Sequence, residues 1–122
     1  MTPAVSKITE QVRFAGIRPK TESGAPAKVY QDDQPLVVTT TTGDAVGTIE
    51  NFVEDAGDGG SSFDVVLKPT TANSASVLLL KADADADSGE VREITEEFNY
   101  SVLADEAVGF TMPGATVEPL VP

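Results

Sequence analysis

The chain has 122 residues, of which 20 are acidic and eight are basic, so its net charge is −12 at pH 7, and it contains no cysteine and no histidine. This length fits one domain with its own core, and the missing residue types exclude disulfides, thiolate or histidine catalysis and cysteine-based metal sites. The excess of carboxylates argues against nucleic acid as a partner, because phosphate contacts need lysine and arginine.

The sequence shows no targeting or membrane-spanning segment. Residues 1–7 lack the apolar run of a signal peptide. The longest apolar run, residues 77–80, is far shorter than the roughly 20 residues that a spanning helix needs. We therefore expect a protein that is made in the cytoplasm and has no membrane partner.

The first 28 residues differ in charge from the rest of the chain. They hold five basic and two acidic residues, whereas residues 29–122 hold three basic and 18 acidic ones. The local net charges are therefore +3 and −15, and an asymmetry of this kind bears on the choice of partner. We predict an extended, mildly basic N-terminal arm over residues 1–28, followed by an acidic domain over residues 29–122 with a proline-rich C-terminal tail.

Two interpretations of the N-terminal segment stay open at this stage. In one, residues 11–15 form a first strand after a disordered lead-in. In the other, the arm lies on another protein, with apolar anchors and charge partners supplied by six residues: Val12, Phe14 and Ile17, together with Arg13, Arg18 and Lys20.

From residue 29 onward the pattern is β throughout. Short runs rich in β-branched and alternating apolar residues are separated by Gly, Asp, Pro and Ser turns, which predicts an all-β sandwich. The expected strands, in chain order, are 36–42, 45–53, 63–68, 75–86, a returning strand through 94–102, and 107–112.

The two long strands form the clearest hairpin. A period of two places Leu78, Leu80 and Ala82 on one face and Lys81 and Asp83 on the solvent face. The returning strand should direct four residues inward, and Glu96 interrupts their series, which suggests a bulge or an edge position there. The four are Ile94, Phe98, Tyr100 and Val102.

Three segments carry a resemblance to a known family. VVTTTTGDAVGTI (37–49) is similar to a strand–turn–strand of bacterial immunoglobulin-like domains, and residues 63–69 with 74–79 are similar to their later strands. ADADADSGEVREIT (82–95) resembles a hairpin of immunoglobulin-like, group 2-like domains in structural proteins of tailed phages. The resemblance covers residues 29–112 and implies an immunoglobulin-like β-sandwich.

The sequence contains one candidate calcium site and no arrangement of residues for nucleophilic catalysis. Asp83, Asp85 and Asp87 supply oxygens at alternate positions, as calcium loops do, but Ser88 and Ile94 stand where an EF-hand needs Gly and Glu. The alternative is an acidic strand edge that resists edge-to-edge pairing. No spacing provides a nucleophile with an oriented base, so we expect no enzyme and no cofactor.

The resemblance, together with the charge asymmetry and the missing export signal, predicts a virion protein. We expect a capsid decoration or auxiliary protein that binds the major capsid protein, or another virion protein, through its arm, with homo-oligomerisation on the particle left open. Two rivals remain. One is an adhesion domain that binds glycans or a host surface through loops 55–62 and 85–90, and the other is a tail-tube or head–tail component.

Overall fold

A computed structural model describes residues 1–30, 36–84 and 93–121, and within these ranges the regular structure consists of seven β-strands. The strands are β1 (Thr2–Ser6), β2 (Val12–Ile17), β3 (Val37–Thr42), β4 (Val46–Val53), β5 (Ser62–Lys68), β6 (Ser74–Asp83) and β7 (Glu93–Val102).

The strands form two sheets packed into a β-sandwich. One sheet has the order β1-β7-β6-β3, and the other has the order β2-β5-β4. Neighbouring strands are antiparallel except β1, which pairs in parallel with the second half of β7, from Thr2 opposite Phe98 to Ser6 opposite Val102. The predicted all-β sandwich is therefore confirmed.

The core lies between the sheets and follows the alternation expected of half-buried strands. Phe98, Tyr100 and Val102 of β7 are buried as predicted. Leu78, Leu80 and Ala82 of the neighbouring strand β6 are buried on the same face of that sheet. The other sheet contributes Phe63, Val65 and Leu67 of β5. Inside this core the Tyr100 hydroxyl lies 2.5 Å from the Ser6 hydroxyl, which satisfies both buried polar groups.

An N-terminal arm outside the sandwich is not confirmed. Residues 2–17 supply one strand to each sheet, and Phe14 packs against Phe98 of the opposite sheet with ring centroids 5.1 Å apart. Strand β2 agrees with the interpretation that placed a strand at residues 11–15, but the lead-in that it expected to be disordered contains β1. The physical reason is burial, since the apolar residues of β2 gain more by covering the core than by remaining in solvent.

Two further expectations differ from the structure. Residues 107–112 form no strand, since the chain after β7 makes no ladder with another described segment. Asp83 is only 3% exposed rather than solvent-facing, because the chain at Tyr30 crosses it, with the Tyr30 N–H donating to the Asp83 carbonyl at 3.0 Å.

Candidate interaction surface

A charged network crosses the outer face of the three-stranded sheet. Arg13 of β2 contacts Glu50 of β4 and Asp64 of β5, each at 2.7 Å. Asp64 also accepts hydrogen bonds from the Gly16 N–H at 3.0 Å and from the Asn51 side-chain amide at 2.9 Å. The central strand β5 thus holds the carboxylate that links both of its neighbours.

The network shifts the pKa values of Asp64 and Arg13 in the directions that favour charge. Hydrogen bonds from Gly16, Asn51 and Arg13 stabilise the ionised carboxylate and lower the pKa of Asp64. Hydrogen bonds to Glu50 and Asp64 raise the pKa of Arg13. Both groups are therefore charged at neutral pH, and Arg13 neutralises carboxylates of its own domain.

Arg18 and Lys28 bind the acidic loop that precedes β5. Arg18 reaches Asp58 at 2.5 Å and donates to the Ser61 carbonyl at 2.8 Å, while Lys28 lies 3.7 Å from Asp55. Hydrogen bonds from the Gly57 and Gly59 N–H groups lower the pKa of Asp55. The pKa of Asp58 is lowered mainly by the hydrogen bond from Arg18 and also by the one from the Gly60 N–H. The loop at 55–60 is thus held by its own carboxylates and by the basic segment.

Of the basic residues predicted to bind a partner, Lys20 is the one that forms no ion pair with any residue in the described ranges. Lys20 is exposed and pairs through its backbone with Pro26, which closes an exposed turn. Within that turn the Thr21 N–H donates to the Ala25 carbonyl at 2.9 Å, and the Gly24 N–H donates to the Thr21 carbonyl at 2.9 Å. The turn is therefore preorganised by its own hydrogen bonds.

The three predicted apolar anchors are half-buried in the sandwich. Val12, Phe14 and Ile17 all pack against the core cluster. Their apolar surface is engaged within the chain, so they are not free to act as anchors on a partner while β2 stays in its sheet.

The weak calcium candidate falls largely outside the described residues. Asp83 lies at the end of β6, opposite Glu93, whereas Asp85 and Asp87 are not among the residues that the structure describes. Elsewhere in the described chain, no cluster of three acidic side chains has a metal-binding arrangement.

A cavity of about 270 Å³ opens at one end of the sandwich, and sequence reasoning did not predict it. Buried core residues form its floor, whereas Ile17, Arg18 and Lys20, three of the residues predicted to contact a partner, lie on its wall. The signal that could have indicated it is Glu96, whose carboxylate interrupts the inward series of β7 at this point. The lining comprises Ile17, Arg18, Pro19, Lys20, Val29, Phe63, Leu80, Ala82, Ile94, Thr95 and Glu96.

Comparison of the chain with protein-family models, with curated proteins and with solved structures finds no match. Across residues 1–30, 36–84 and 93–121, no helix has the length and apolar character required to cross a membrane.

Proposed function

We propose that the sandwich is immunoglobulin-like. In the constant-type immunoglobulin fold, strands A, B, E and D form one sheet and C, F and G form the other. Here β2-β5-β4 matches the order B-E-D, and β7-β6-β3 matches G-F-C. Strand β1, which corresponds to A, lies beside β7 instead of beside β2. One edge strand therefore belongs to the other sheet than in the constant-type fold.

On this basis we propose that the protein is a non-enzymatic structural protein of a tailed-phage virion, most specifically a capsid decoration protein. The immunoglobulin-like fold by itself serves many functions, so the proposal needs a site. The observation that carries it is the exposed turn at residues 20–26. Lys20 stands at its base as a cation without an ion pair in the described chain, in a domain whose net charge is otherwise strongly negative.

The structure changes how the N-terminal residues would bind the particle. Arg13 and Arg18 are paired within the chain, and the apolar residues of β2 cover the core. The proposed contact is therefore the turn with Lys20, rather than a free arm. A rigid turn loses little conformational freedom on binding, and many symmetric copies on a shell add avidity to a weak contact.

The test is co-sedimentation of the full chain with purified tailed-phage particles, with negative-stain labelling to locate it. We expect labelling of the head, about a tenfold loss of binding at low salt for Lys20→Glu, and unchanged binding for Lys68→Glu, which makes the same charge change at an exposed position of β5. Deletion of residues 2–27 is not a suitable test, because it would remove two strands.

Other outcomes overturn this assignment. Labelling confined to the tail would indicate a tail-tube or head–tail component. Absence of particle binding together with binding to host cells or glycans would indicate an adhesion domain.

A further inference from the structure

Among the residues that the structure describes, a second strand covers only half of the outer edge of β7. Strand β1 pairs with residues 98–102, and within the described chain residues 93–97 have a ladder partner only on the β6 side. The inner face opens at the same point, since Phe98 is 2% exposed and Ile94 is 44% exposed. An unpaired edge beside exposed apolar surface is a template for an added strand.

The end cavity lies beneath this open edge. Ile94 and Glu96 line it from β7, opposite Ala82 and Leu80 of β6 in the ladder. Its volume of about 270 Å³ exceeds the ~150 Å³ at which a dry apolar cavity accepts a benzene ring. One aromatic side chain directed inward from an added strand therefore fits.

The C-terminal segment has a sequence that is suited to form this added strand. Val108, Phe110 and Met112 alternate with smaller residues, and all three side chains are exposed, Phe110 by 93%. This alternation is typical of a strand with one buried face, although the segment pairs with no described strand.

We propose that residues 108–112 of one copy add to the open edge of β7 in a second copy of this chain and insert Phe110 into the end cavity. Directly paired residues face the same side of a sheet, so Phe110 lies opposite Ile94 or Glu96, with Val108 or Met112 opposite the other. The rim residue Lys20, which has no ion pair in the described chain, is opposite in charge to Asp105 and Glu106, which precede the segment.

The length of the chain favours a second copy over docking within one chain. Leu103 is fixed next to β7 by hydrogen bonds with Ser6 and Asn73. Seven residues from there to Phe110 reach at most about 25 Å. The path back along β7 to Glu96 uses about 20 Å of that length before the detour around β1, which occupies the edge in between.

The donor segment and the acceptor edge lie at opposite ends of β7, so the contact is heterologous. Each copy both gives and receives a strand, so such contacts close into rings, of which a reciprocal dimer is the smallest, or continue as open filaments. This inference does not depend on the proposed virion role.

The test is sedimentation of the full chain at increasing protein concentration, in moderate salt that screens the net charge. We expect dimers or larger assemblies for the natural sequence. Phe110→Ser in the donor and Ile94→Lys in the acceptor should each raise the dissociation constant about ten- to a hundredfold. Leu120→Ser, the matched change at another exposed tail residue, should leave assembly intact.

A mixture of the two defective variants makes the test specific. Phe110→Ser retains an intact acceptor and Ile94→Lys retains an intact donor, so equal amounts should form dimers that grow no further. Circular dichroism of each variant checks that the sandwich is retained. A monomeric natural chain, a mixture that stays monomeric, or an equal loss of assembly in Leu120→Ser would overturn the proposal.

Discussion

Gly47 of β4 lies directly against side chains of the opposite sheet. A Cβ atom at this position would stand 2.9 Å from the Leu78 side chain and still closer to that of Val38. The requirement is steric, since Gly47 is not among the glycines with positive φ. Packing between the sheets thus explains a glycine inside a strand, where its entropy normally disfavours it.

Gly47→Ala should therefore destabilise the fold by about 1–3 kcal/mol, the usual cost of overpacking a core. The measurement is urea unfolding monitored by circular dichroism. The control is Gly109→Ala, because nothing lies within 4 Å of the position that its Cβ would take. Equal stability of the two variants would contradict the close approach of the sheets.

At the scale of the element, β2 decides between a strand and an arm. Phe14 is half-buried and stacks at a tilt against Phe98 across the sandwich. Phe14→Ala should lower the free energy of unfolding by about 2–4 kcal/mol, whereas Phe110→Ala, at an exposed phenylalanine, should have little effect under monomeric conditions. A Phe14→Ala variant as stable as the natural chain would favour the interpretation in which residues 1–28 form an arm outside the sandwich.

The network that joins β2, β5 and β4 predicts a dependence of stability on pH. The folded state lowers the pKa of Asp64, so its contribution to stability is complete above the ordinary aspartate value of about 4 and disappears as the pH falls through the lower, folded value. The stability difference between the natural chain and Asp64→Asn should be largest at neutral pH and shrink in acid.

The measurement is urea unfolding of both chains from neutral to strongly acidic pH. Asp105→Asn in the exposed tail removes the same charge without touching the network. A difference for Asp64→Asn that stays constant across this range would show that the carboxylate is not stabilised in the folded state.

Elements with a local signal could be predicted, and elements that depend on distant partners could not. The β-branched run before Gly43 and the alternation in β5 and β7 identify their strands because each pattern is complete within a few residues. Residues 107–112 show the same alternation without a neighbouring strand to complete a ladder. Conversely, β2 contains Gly16 and only scattered apolar residues, so the sequence left a strand and an arm both open, and its partner β5 lies about 50 positions later in the sequence.

The sequence indicated some of the residues that line the end cavity, but it did not indicate the cavity itself. Sequence patterns marked Ile17, Arg18 and Lys20 as contact residues, and all three lie on the wall of the end cavity. The pairing of Arg18 with Asp58 in the loop at 55–60 and the opening beside Glu96 arise from tertiary contacts, which a local pattern does not encode.

On the scale of the whole molecule, the net charge of −12 opposes the compact state. Four described ion pairs offset part of this repulsion, but their side chains remain partly exposed to solvent, and such pairs contribute little.

Screening should therefore stabilise the protein. Raising the salt concentration from about 0.01 M to 0.5 M NaCl shortens the screening length several-fold and should raise the urea midpoint. Potassium glutamate at matched ionic strength separates screening from specific effects of chloride. A falling midpoint would mean that attractive pairs outweigh the repulsion.

The parallel pairing of β1 with β7 joins residues from opposite ends of the chain, with Thr2 opposite Phe98. During synthesis, the first strand emerges from the ribosome long before its partner exists, so the four-stranded sheet is completed only after residue 102 has been released. Loop closure over nearly the full length raises the contact order, and sandwiches of this kind fold in milliseconds to seconds. Until then β1 has no strand to pair with and the core residues of β5 lack those of β7, and this interval is when the nascent chain is most exposed to chaperones and to aggregation.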